Sequence, residues 1–199
     1  MAEQNFQFNI SLSVLNHLGR NLYRNFITVL GEAISNAWDA DANNVWIEID
    51  KAKSVFSIKD DGNGMTAEDF QNKFLKIGYS KRKDGALRSG KERPFIGAKG
   101  IGKFALLSCA ERVSIFTKTA GSEYVGGVID NGGLDKAIKE DLIPDEYPLE
   151  GLDFELINEL SGSHDKGTII VFQNTKEVIR NSESHVKKTS GNDLQVFVV

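Results

Sequence analysis

Glu32 and Asn36 stand four residues apart in a stretch, Leu22 to Ala40, that carries apolar residues at 26, 29, 30, 33, 34 and 37. That spacing is helical, and on a helix the two side chains are rotated by about 40° and project from one face roughly 6 Å apart. A carboxylate and a carboxamide therefore face the same point, fixed by packing of the opposite face rather than by a loop. Read alone, the pair is a candidate site or merely two solvated residues. A second constellation is Gly97-Ala98-Lys99-Gly100-Ile101-Gly102-Lys103. It satisfies the phosphate-loop pattern, but Phe104 follows where a hydroxyl must reach magnesium. Gly100, Gly102 and Ala105 fit a dinucleotide fingerprint, yet a basic loop with Pro94 leads into it where a strand is required. A glycine-rich turn with no ligand is the third reading.

These residues need a scaffold. Phe6, Phe8 and Ile10 alternate with polar residues, as in a short strand or an arm that lays one face on a neighbour. Ser11 or Ser13 can cap a brief helix containing His17. Val45 to Asp50 and Ser54 to Lys59 are alternating runs around a short polar link, the pattern of a hairpin. Asp60-Asp61-Gly62-Asn63-Gly64 breaks its second strand, and Thr66 is a predicted cap for a helix from Ala67 to about Ile77. Gly78 to Gly102 is polar, basic and glycine-punctuated, the composition of a functional or mobile loop. Gly100 to Ala110 reads as a helix packed through Phe104, Leu106 and Leu107. Val113 to Lys118 and Tyr124 to Asp130 read as strands, and Asn131-Gly132-Gly133 opens an irregular region holding Pro144 and Pro148. Leu152 to Leu160 reads as a short helix, and Gly167 to Phe172 as a central strand because both its faces are apolar.

The totals set bounds. With 199 residues, 40% of them hydrophobic, the chain can bury one sizeable core, and a net charge of -4 argues against wholesale attraction to nucleic acid or acidic membranes. Any anion site must be local. Cys109 is the single cysteine, so no internal disulfide forms, and a reducing compartment fits. No apolar run approaches the length of a membrane span and no leader pattern opens the chain, so a soluble cytoplasmic protein is expected. His17, His164 and His185 lack the spacing of a metal site. Residues 182–193 turn polar, and the apolar end Leu194 to Val199, with no strand to pair it, reads as a cut inside a longer protein.

Taken together, four stretches resemble the Bergerat-fold ATPases, the superfamily of gyrase B, the ninety-kilodalton heat-shock chaperones, histidine kinases, MutL and MORC proteins. Glu32-Ala33-Ile34-Ser35-Asn36-Ala37-Trp38-Asp39-Ala40 resembles the helix box E-x-x-x-N-A-x-D-A, and Asp60-Asp61-Gly62-Asn63-Gly64-Met65 the box D-x-G-x-G-M. Gly97 to Gly102 is similar to G-x-x-G-x-G, and Gly167-Thr168 to the final box. The order matches throughout, over residues from about 10 to 175. More narrowly, Ile77 to Arg82 and Arg93 to Gly97 resemble the lid borders of MORC-like and prokaryotic chaperone-like members.

The resemblance implies a two-layer α/β sandwich, helices over one face of a mixed, mostly antiparallel sheet, in an ATP-binding domain over 1–178, with 179–199 a polar tail or the start of a truncated segment. It implies ATP and Mg2+ as ligands. Asp60 would accept the adenine amino group, with Gly62 and Gly64 allowing close approach, Met65 covering the ring and Thr168 bonding through water. Asn36 would give magnesium an oxygen, and Glu32 would activate the attacking water. Lys81, Lys99 and Lys103, with Gly100, Ile101 and Gly102 at a helix N-terminus, would meet the phosphates. Glu32 stands where the kinases carry Asn, which favours hydrolysis over histidine phosphorylation; a non-hydrolytic, nucleotide-gated module is the other alternative. A nucleotide-dependent homodimer through the N-terminal arm is expected, with C-terminal domains beyond this chain through which the full-length protein could reach nucleic acid, and no membrane. The family's hydrolysing members draw a lysine from a following domain, so slow or absent turnover is expected of this segment alone.

Overall fold

The computed structural model describes residues 7–9, 26–50, 52–76, 87–97, 110–132, 146–175 and 195–198. In chain order the elements are β1 (Gln7–Asn9), α1 (Phe26–Asp39), β2 (Asn44–Asp50), β3 (Val55–Asp60), α2 (Ala67–Asp69, continued as a π-helical turn over Phe70–Phe74), β4 (Ala110–Lys118), β5 (Val125–Asp130), β6 (Glu146–Pro148), α3 (Phe154–Ser161), β7 (Gly167–Thr175) and β8 (Gln195–Val198). Six strands form one sheet in the order β5-β4-β7-β3-β2-β8. All neighbours run antiparallel except β8, which pairs in parallel with β2, Val45 opposite Val196. The mixed, mostly antiparallel α/β architecture is therefore the expected one.

Two apolar layers hold it together. Along β3, β4 and β7 side chains alternate between the faces. Phe56, Ile58, Val113, Ile115, Ile170 and Phe172 share a core with Val29, Leu30, Ala33 and Ala37 of α1 and Phe70 of α2. Phe56 and Phe172, opposite each other in register, stack with centroids 4.0 Å apart and fill its centre. On the other face Phe116, Ile169 and Val171 pack against Ile157, Leu156 and Leu160 of α3. The helices thus lie on both faces, α1 and α2 on one and α3 on the other, where the sequence reading put them on one. β7 is buried on both sides and central, as its apolar run predicts.

Local rules explain most boundaries. Thr66 caps α2 by accepting the Asp69 N–H at 3.1 Å, and Asp153 caps α3 through the Leu156 N–H at 3.0 Å. Four details differ from expectation. Ala110 opens β4 rather than closing a helix, because it pairs with Thr175. Glu146 to Pro148 form a strand inside the proline-bearing region, since β1 supplies an antiparallel partner, Phe8 opposite Tyr147. The apolar end is likewise paired, by β2. The helix starting at Ala67 has given way to bends after Phe74. Ser11, Ser13, His17, Cys109 and the predicted helix over 100–109 lie outside the described residues.

Candidate functional site

α1 buries Val29, Leu30, Ala33 and Ala37 against the sheet, which leaves Glu32 half-buried and Asn36 exposed on its flank. Burial raises the Glu32 carboxyl pKa. The helix ends in a knot of polar contacts. Ala40 N–H donates to Asn36 O at 3.0 Å, and Asp41 adopts φ 62, a left-handed conformation that Asp tolerates better than most residues.

The segment 87–97 docks on this helix end. Trp38 Nε1–H donates to Pro94 O at 3.0 Å, and the Arg93 guanidinium lies 4.6 Å over the Trp38 ring while donating to Ala42 O. The buried Asp39 carboxylate accepts the N–H groups of Ile96 and Gly97 at 2.9 and 3.1 Å. Lys91 Nζ donates to Asp41 O at 2.8 Å and Asn43 Oδ1 at 2.7 Å. Burial alone would push the Asp41 carboxyl up, but bonds from Ser89, Lys91 and Asn63 outweigh it and hold the pKa below the ordinary value. One end of the glycine-rich loop is thereby fixed next to Asn36: a Cβ placed on Gly97 would lie 4.0 Å from Asn36 Oδ1.

The other wall is the end of β3. Asp60 Oδ1 accepts the Gly62 N–H at 2.8 Å, and the Thr168 N–H also donates to this carboxylate. Asn63 N–H donates to Ala40 O at 2.7 Å, which ties the loop after Asp60 to the end of α1. Asp61 turns the other way and accepts Asn43 and Asn44 N–H groups at 2.7 and 2.8 Å. Gly64, at φ +68, is required: a Cβ would sit 1.8 Å from Lys118 O. Behind the loop the buried Thr117 hydroxyl donates to Gly167 O at 2.8 Å and accepts the Met65 N–H at 3.1 Å. Its single proton is then used, so across the 3.0 Å contact Thr168 is the donor and keeps its lone pairs.

Asp60 is desolvated enough that its carboxyl is pushed from 3.8 to about 6, despite the bonds from Gly62 and Thr168. A raised acid pKa means the folded state holds the proton longer. The stability this group contributes is fully present below the unfolded value and lost as pH rises through about 6. Urea unfolding should therefore show a falling component over that window in the natural chain, and Asp60→Asn, which cannot titrate, should remove it.

Of the residues singled out in the sequence, Asp60, Gly62, Gly64, Met65 and Thr168 lie together in the bonded loop at the ends of β3 and β7. Asn36 lies on the last turns of α1 beside Gly97, and Glu32 stands one helical turn before it. Lys81, Lys99, Gly100, Ile101, Gly102 and Lys103 lie outside the described residues. Sequence reasoning missed Thr117 and Lys91, whose partners are remote in the chain, and named Arg93 only as a lid border. It also set aside His164, whose Nε2 lies 2.7 Å from Asp60 O.

An α/β sandwich with this helix end set beside the break after β3 defines the class: an ATP-binding domain of the Bergerat type. The chain belongs to the histidine kinase-, DNA gyrase B- and HSP90-like ATPase family, whose model matches residues 23–142. It is 33% identical over 190 residues to the "Putative type II restriction enzyme HgiDII" of Herpetosiphon aurantiacus, covering 94% of this chain and 29% of that protein. With the DNA mismatch repair protein MutL of Anaplasma phagocytophilum it shares 31% identity over 107 residues, 53% of this chain and 16% of the relative. With the chaperone HtpG of Wolinella succinogenes it shares 29% over 160 residues, 69% and 26% respectively. The chain thus spans under a third of each of these relatives. It is an ATP-binding ATPase domain.

Proposed function

We propose that the domain binds ATP with Mg2+ between α1 and the ends of β3 and β7 and hydrolyses it. The observation that carries the assignment is the Asp60 carboxylate, fixed by Gly62 and Thr168 N–H groups in a loop bonded to the end of the Glu32–Asn36 helix. An ionised carboxylate only accepts, and adenine offers an amino donor where guanine presents an oxygen. Asp60 therefore selects adenine, with Met65 against the ring and the Thr168 oxygen accepting from a bridging water. Asn36 fits Mg2+: its neutral amide oxygen, a hard donor on an exposed helix flank, would hold the ion, which would supply charge neutralisation to the phosphates. Lys81, Lys99 and Lys103 and the backbone of Gly100, Ile101 and Gly102 meet the phosphates.

In hydrolysis, Glu32 takes a proton from a water whose oxygen bonds the γ-phosphorus as the bond to the β,γ-bridging oxygen breaks, leaving ADP and phosphate. The lid over 78–102 closes on the bound triphosphate from the post that Trp38, Asp39 and Arg93 hold. The whole protein works as a nucleotide-dependent homodimer. MutL is named for DNA mismatch repair and HgiDII for restriction, which supports a DNA-directed task for the full protein. Among the described residues no helix is long and apolar enough to cross a membrane. Calorimetric titration tests the reading: with magnesium present, ATP should bind at least about tenfold more tightly than GTP. Equal affinities would refute the Asp60 assignment, and no binding of either would refute the whole.

A further inference from the structure

We infer that His164, steadied by Tyr124, is a positioning residue that sets how Asp60 meets the base, an inference that rests on the adenine reading proposed above. β3 and β7 pair from Val55 opposite Gln173 to Lys59 opposite Ile169, and there the ladder stops. The next donor on β7, the Thr168 N–H, goes to the Asp60 carboxylate instead of continuing the ladder. Gly167 lets the strands part: its φ is +120, and a Cβ would sit 2.0 Å from Asp60 O. Asp61 N–H points to Asn44 O on β2, so the Asp60 carbonyl, one residue earlier in an alternating strand, faces β7. Diverting Thr168 to the side chain thus leaves this carbonyl in need of a donor.

His164 supplies it. A carbonyl only accepts, so at 2.7 Å the imidazole Nε2 carries the proton, and Nδ1 is the acceptor for the Tyr124 hydroxyl at 2.8 Å. Burial, reinforced by Lys59 and Lys118, holds the imidazole below its ordinary pKa, so this neutral tautomer persists. The ring is also held as a body. It stacks on Tyr124 at 6.0 Å, Tyr124 meets Phe116 edge-on at 5.6 Å, and His164 N–H donates to Ser161 O at the end of α3. A helix on the far face of the sheet therefore fixes the peptide that carries the base-reading carboxylate. Placement to a fraction of an ångström decides whether such a carboxylate discriminates between bases.

His164→Ala, His164→Gln and Tyr124→Phe, with Asp60→Asn as reference, test this by ATP and GTP titration and steady-state phosphate release. His164→Ala should raise KM for ATP about tenfold and narrow the preference for ATP over GTP, while kcat stays within about twofold because the imidazole acts through the Asp60 peptide. His164→Gln, whose amide N–H reaches the same carbonyl, should restore most of both, and Tyr124→Phe should shift them less, in the same direction. An unchanged KM and preference in His164→Ala would overturn the proposal, as would a fall in kcat alone. If that variant does not fold, His164→Gln against His164→Met decides: equal base preference in the two overturns it. Wild-type ATP binding in Asp60→Asn would sink the adenine reading and this proposal together. Lost binding there, with wild-type behaviour in every His164 variant, would sink the positioning role alone.

Discussion

Asp60→Asn is expected to lower ATP affinity by about 10²- to 10³-fold while leaving the melting temperature nearly unchanged, as read by calorimetric titration and thermal unfolding of the same samples. The carboxylate meets donors throughout: Gly62 N–H at 2.8 Å on Oδ1, the Thr168 N–H, and in the proposed complex the adenine amino group. An amide of the same shape must turn its NH2 toward one of them. Donor then faces donor, which costs the unpaired group about 1–3 kcal/mol and also loses a charge-assisted bond. The fold tolerates the change because ionising Asp60 already opposes folding, as its pKa of about 6 records. Lost binding in a folded protein is the distinctive result; affinity within about threefold of the natural chain would show that Asp60 does not read the base.

How much of this was legible in the sequence depends on the range of the contacts involved. α1, the β2–β3 hairpin and α3 follow from local periodicity, because their apolar residues recur at 3.6 or 2 positions, and β7 follows from an unbroken apolar run that is buried on both faces. The strands β6 and β8 do not. Glu146 to Pro148 is a strand only because Gln7 to Asn9, near the other end of the chain, lies alongside it. The placement of α3 is likewise absent from its own pattern. An amphipathic helix shows that it has an apolar face, not which side of a sheet receives it.

The site divides in the same way. Glu32, Asn36, Asp60 and the glycines stood out because short-range rules bind them: one turn of helix, or a loop that only glycine can follow. The residues that support them did not. Arg93 is only the border of a basic stretch until Trp38 lies beneath it at 4.6 Å. Thr117 is one more residue of an alternating strand until Met65 and Gly167 converge on its hydroxyl. His164 lacks metal-site spacing in the sequence, and its place beside Asp60 depends on where β3 and β7 part company. Groups that touch a ligand obey local geometry, while the groups that hold them in place are chosen by tertiary packing.

The largest kinetic effect should come from Glu32. Its carboxyl is half-buried one helical turn before Asn36, and burial raises its pKa, which strengthens it as a base. Glu32→Gln keeps the volume and can still hydrogen-bond a water, but it cannot take a proton. Turnover should fall about 10²- to 10⁴-fold, the usual contribution of a positioned general base, with ATP affinity held within a few-fold. The pH profile gives a second readout. A base must be unprotonated to act, so kcat in the natural protein should decline on the acid side through a pKa raised from the ordinary glutamate value by burial, and the residual rate of Glu32→Gln should lose that limb. Undiminished phosphate release in Glu32→Gln would remove Glu32 from the chemistry. Loss of turnover accompanied by an equal loss of ATP binding would instead make it a binding residue, with the water activated by some other group.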